Sequence, residues 1–114
     1  MIYDTWDVVE VPFPFIETAK VKQRKALVLS SRDFAEHNSA HILMMITSAT
    51  NSAWAGDTPI DQLAVAGLKK ACVTRLKLFT LAVHLIHRKV GKLSRRDQKA
   101  VRESLRLALP LLPP

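Results

Sequence analysis

Arg24-Lys25-Ala26-Leu27-Val28-Leu29-Ser30 carries a basic pair into an apolar run, and Ile42-Leu43-Met44-Met45-Ile46-Thr47-Ser48 carries an apolar run out into hydroxyls. Short apolar runs with β-branched residues and polar ends read as strands. Paired in one small sheet, they would bring the cations that open the first and the hydroxyls that close the second to one end. A cation beside a hydroxyl suits a phosphate group, so that end is the expected working end of the chain.

Upstream, Asp7-Val8-Val9-Glu10-Val11-Pro12-Phe13-Pro14-Phe15 alternates, with Val9, Val11, Phe13 and Phe15 on one face. This predicts a strand, and because proline cannot donate to a ladder, Pro12 and Pro14 belong at a sheet edge or at the strand's end. Met1 to Thr5 read as a frayed start, and Ile16 to Gln23 as a loop carrying Lys20 and Lys22. Ser30 to Ser39 reads as a polar connection with one serine-capped helical turn.

Downstream, Gly56-Asp57-Thr58-Pro59 signals a turn, followed by a short strand near Pro59 to Leu63. Cys72 to Phe79 predicts a strand with Cys72, Thr74, Leu76 and Leu78 on one side and Arg75 and Lys77 on the other. Two cations on one strand face call for water or an anion. His84 to Val90 reads as a further strand. Ser94-Arg95-Arg96-Asp97 looks like a capping box with Asp97 in place of the more common Glu, opening a helix that Pro110 ends. Arg95, Lys99, Arg102 and Arg106 then share one stripe, opposite Val101, Leu105 and Ala108. Five or six short strands and one terminal helix make a small, mainly β chain with a strongly bent sheet or barrel.

The 114 residues are expected to form one domain, 1–114, large enough to fold without a disulfide or structural metal. The single cysteine, Cys72, has no partner and reads as a small buried side chain; with no signal peptide in view, a reducing cytoplasm is expected. No apolar run approaches the roughly 20 residues that span a bilayer, which argues against a membrane protein. Charge is uneven: residues 1–68 carry five basic and eight acidic side chains, residues 69–114 twelve and two, for the total of +7. A polyanionic partner is indicated, either nucleic acid or an acidic protein segment.

Gly-rich phosphate loops, Ser-His-Asp spacings and paired carboxylates are missing, so nucleotide hydrolysis, acyl transfer and glycosidase chemistry lack support. His37 and His41, and His84 and His87, are spaced for one helical face, yet no local cysteine or carboxylate completes a zinc set. Neither a metal nor a cofactor is called for. That leaves Arg24 and Thr47. Arginine presents a fixed fork of donors to a phosphate, and threonine can add a hydrogen bond to a transition state. The plainer readings are a strand-end surface cation and a turn hydroxyl, and pattern alone favours them.

Val8 to Phe15, Arg24 to Ser30, Ile46-Thr47-Ser48 and Leu78-Phe79-Thr80-Leu81, taken together and in order, resemble the MazF/PemK family of toxins from type II toxin–antitoxin systems. The resemblance implies an SH3-like barrel with a C-terminal helix. It implies a homodimer that cuts single-stranded mRNA at short sequences without metal, leaving a cyclic phosphate and a 5′-hydroxyl, and that an acidic antitoxin neutralises. Arg24 falls on the family's catalytic arginine and Thr47 on its catalytic threonine. Lys25, Ser48, Trp54, Arg75 and Lys77 are the candidate RNA contacts, Trp54 by stacking on an unpaired base.

The chain departs from the family pattern in three places. Lys25 replaces the proline that commonly follows the arginine, the first loop lacks the family's glycines, and Lys77 lies near where some relatives carry an acidic residue. A second reading follows from these differences: a catalytically silent barrel that binds RNA or an acidic protein.

Overall fold

Val8 and Val9 are adjacent in one strand, point to opposite faces, and are both fully buried. A sheet with such a strand must have a core on each side. The computed structural model describes residues 1–13, 22–51 and 53–111. Pro14, Phe15, Lys20 and Leu112 lie outside the described residues.

The order along the chain is β1 (Asp7–Phe13), β2 (Lys22–Val28), α1 (Arg32–Asn38), β3 (Ala40–Ser48), β4 (Thr58–Pro59), β5 (Cys72–Ala82), a 3₁₀ turn (Val83–Leu85), β6 (Arg88–Lys92) and α2 (Arg95–Ala108). The strands make one curled antiparallel sheet in the order β4-β5-β3-β2-β1-β6. This half-barrel with a C-terminal helix bears out the mainly β, barrel-like expectation. On one face Val8, Leu27, Met44 and Ile46 pack under α2, which contributes Val101, and under the segment holding Ile60, Ala66 and Leu68. On the other, Val9, Val11, Ala26, Val28 and Leu43 pack with Leu81, Ile86 and Tyr3.

β1 lies inside the sheet, and Pro12 is tolerated because β1 outruns β6, which pairs only with Asp7 to Glu10. Pro12 therefore sits at the strand's end, one of the two places open to it. The β3–β5 ladder breaks between Met44 and Met45, whose partners are Leu78 and Arg75, so Leu76 and Lys77 form a bulge. Leu76 still packs against the α2-side core, whereas Leu78 beyond the bulge is 39% exposed.

Several local expectations are corrected. Met1 to Thr5 are not frayed throughout: Tyr3 is buried and its N–H donates to Nε2 of His41 at 3.1 Å, an anchor 38 residues away that no local pattern reveals. The strand expected near Pro59 to Leu63 shrinks to the two residues of β4, and His84 to Val90 divides into the 3₁₀ turn and β6. α1 runs seven residues rather than one turn, capped by Ser31, whose Oγ accepts the Phe34 N–H. At α2, Ser94 caps as expected by accepting the Asp97 N–H at 3.2 Å. The Asp97 carboxylate instead turns outward from the helix and accepts the N–H groups of Asp61 and Gln62, each at 3.0 Å. An aspartate is one methylene short of the glutamate that normally closes a capping box, and a neighbouring loop offers it two better-placed donors.

Candidate functional site

Lys25 pairs with Ile46 across β2 and β3, so Arg24 and Thr47 are the next residues along on the two strands. By strand alternation they share a face with Val11, which pairs with Arg24, and Val73, which pairs with Thr47. The basic start of β2 and the hydroxyl end of β3 thus do meet, in an open groove of about 600 Å³ walled by Arg24, Thr47, Ser48, Lys70, Arg75 and Lys77, with Phe13 and Met45 as apolar floor. Lys25 also reaches this groove.

Thr47 has a neighbour that sequence reading missed. Asn51 Nδ2 donates to Thr47 Oγ1 at 2.6 Å. The threonine oxygen is then the acceptor in that bond, and its own hydrogen is left to donate elsewhere. Ser48 serves the turn that places Asn51: its Oγ lies 2.9 Å from Thr50 Oγ1 and accepts the Thr50 N–H at 3.3 Å. A run of Thr, Ser and Asn after a strand is itself a turn signal, which is how Asn51 could have been found.

The cations differ in what holds them. Lys25 faces away from Arg24, and its Nζ lies 3.2 Å from Glu10, which also takes Arg88 at 3.4 Å. Burial works to raise the Glu10 pKa, but the hydrogen bond and charge of Lys25, with help from Arg88, outweigh it and keep the carboxyl below its ordinary range. Arg75 is paired twice with Asp57, at 3.2 and 2.9 Å, and the bonded guanidinium depresses the Asp57 pKa. Its guanidinium also lies 5.1 Å from the centroid of the Trp54 ring. Lys77 lies 5.3 Å from the Phe13 ring centroid. Arg24 and Lys77 are exposed.

The histidines stand apart from the groove. His84 and His87 are exposed, as expected of surface residues, while His41 is fully buried. Cys72 is buried, and burial raises its thiol pKa, which makes it a poor nucleophile. Among the described residues no group of three or more His, Cys, Asp or Glu could hold a metal ion, and no helix is long and apolar enough to cross a membrane.

A curled six-stranded half-barrel with one closing helix, and an open groove lined by cations and hydroxyls at the end of its central strands, defines a small, mainly β protein. Residues 4–109 match the family model described as PemK-like, MazF-like toxin of type II toxin-antitoxin system, and the chain belongs to that family. No curated protein sequence matches it. Among solved structures it is similar to a MazE–MazF complex from Deinococcus radiodurans, at 17% identity and TM-score 0.77 over 98% of this chain and 100% of that one. It is similar to the Mycobacterium tuberculosis toxin MazF-mt6, at 23% identity and TM-score 0.70 over 93% and 98%. It also resembles an endoribonuclease in complex with its cognate antitoxin from a mycobacterial species, at 12% identity and TM-score 0.74 over 99% and 98%. At these identities the likenesses speak for the fold.

Proposed function

We propose that this chain is a cytoplasmic, metal-independent endoribonuclease toxin that cuts single-stranded mRNA at short sequences and is neutralised by an acidic antitoxin. The observation that carries the reading is the placement of Arg24 and Thr47 side by side in one groove, with Asn51 taking up the acceptor side of the threonine. In the reaction the ribose 2′-oxygen attacks the adjacent phosphorus, forming the 2′-O–P bond as the P–O5′ bond breaks. The proton lost from the 2′-hydroxyl and the one gained by the 5′-oxygen exchange with water, leaving a cyclic phosphate and a 5′-hydroxyl. Arg24 meets the charge that builds on the phosphoryl oxygens with its fork of donors, and the Thr47 hydrogen adds a further bond to the same oxygens. Lys77, Lys70 and Ser48 line the track for neighbouring phosphates, whereas Lys25 borders the groove with its charge already met by Glu10. The net charge of +7 and the antitoxin complexes among the similar structures support an acidic partner. Exposed Leu107, Leu109 and Leu111 at the end of α2 support a homodimer.

The test is incubation of the purified protein with a long single-stranded RNA in excess EDTA, with the ends mapped. Discrete cuts carrying cyclic phosphate are expected, reduced about 100-fold or more by Arg24→Ala and about 10-fold or more by Thr47→Val. RNA binding without any cuts would overturn the nuclease in favour of the silent barrel.

A further inference from the structure

Trp54 is 47% exposed, yet the turn beneath it is tied from several directions. Its N–H donates to Asp57 Oδ2 at 2.9 Å, and the Asp57 N–H donates back to the Trp54 carbonyl at 3.1 Å. Gly56, at φ 89°, makes that reversal possible, and its carbonyl accepts the Ser104 hydroxyl of α2 at 2.9 Å. Asp57 is gripped by both arms of Arg75, with the two side chains only 11% and 13% exposed, and the same guanidinium lies against the indole. Arg75 meanwhile lies opposite Met45, two residues from Thr47, and lines the groove.

We propose that Trp54 is a preformed stacking platform for one unpaired nucleobase of the bound RNA, with Asp57 and Arg75 as its positioning residues. This rests on the RNA reading above but not on cleavage. An indole held on one face by a guanidinium has already given up much of the freedom that binding would otherwise cost it. Its outer face can take any base, since every base has a π surface, so the platform adds affinity without selecting sequence. Arg75, with its charge met by Asp57, holds the ring rather than a phosphate.

The test is equilibrium binding of a short single-stranded oligonucleotide, 2′-O-methylated throughout so that no nucleophile is present. In a Trp6→Phe background, Trp54 is the only indole and its fluorescence reports the stack. Saturable quenching is expected, absent with an abasic oligomer of the same charge. Trp54→Ala should weaken binding about 10-fold, with Trp54→Phe recovering most of it. Asp57→Asn is the discriminating variant. It raises the net charge by one and releases Arg75, so it would tighten binding if Arg75 were a phosphate contact and must weaken it if Asp57 and Arg75 hold the platform. Tight binding that is indifferent to Trp54, or tightened by Asp57→Asn, overturns the platform and leaves the nuclease standing. No binding by the wild type overturns both.

Discussion

His41 sits inside β3 with no solvent exposure, and its two ring nitrogens have different tasks. Nε2 accepts the Tyr3 N–H, so the ring proton is on Nδ1, which donates to Ser30 Oγ at 2.7 Å. Ser30 Oγ also accepts the Ile42 N–H at 2.9 Å, which ties three segments together. Burial lowers the His41 pKa, with Arg32 adding to the effect and the carboxylates of Asp7 and Asp4 opposing it. The unfolded chain therefore takes up a proton that the folded chain refuses, and stability is complete above the ordinary histidine value and falls as pH drops below it. Urea unfolding at about pH 7.5 and pH 5 should show this loss in the wild type and a smaller one in His41→Leu, whose stability is lower at both. Asn51 makes a second prediction at this scale. In Asn51→Asp the new carboxylate accepts the Thr47 hydrogen instead of donating to its oxygen, so cleavage should fall about as far as in Thr47→Val, about 10-fold, with the melting temperature little changed.

α2 shows how an element is held at its first turn. Ser94 satisfies one of its free N–H groups, and buried Asp97 satisfies two N–H groups of the segment that covers the sheet. Asp97→Asn presents an amide with only one acceptor oxygen to two donors, and should cost about 1–3 kcal/mol of unfolding free energy by denaturant titration. Ser94→Ala should cost about 1 kcal/mol. Both variants should cut RNA at the wild-type rate per folded molecule, because neither residue touches the groove. β2, β3 and α2 were legible because their signals are local: an apolar run with polar ends, or a capping serine before an amphipathic stripe. Strands were expected near β4 and β6, but their bounds were not legible, since two residues beside Thr74 and five beside β1 become strands only where their partner strands are in place.

For the molecule as a whole, the excess of positive charge in residues 69–114 reaches the groove as Lys70, Arg75 and Lys77. If Lys70 and Lys77 contact phosphates, RNA affinity should fall with salt, and Lys70→Ala or Lys77→Ala should each reduce the log–log slope by about 0.7, read by titration at several salt concentrations. Trp54→Ala should weaken binding with the slope unchanged.

The strands that carry Arg24 and Thr47 could be read from the sequence alone, because strand alternation and hydrophobic run length are properties of neighbouring residues. The two residues themselves stood out only through the family resemblance, since pattern alone favours plainer readings for both. The strand order, and hence the meeting of Arg24 with Thr47, followed only from pairing, since any two strands could have been neighbours. Which cations are engaged by carboxylates was decided by tertiary structure alone. Glu10 holds Lys25 across 15 residues and Asp57 holds Arg75 across 18, and charge pairing at such separations depends on where the sheet brings the chain together.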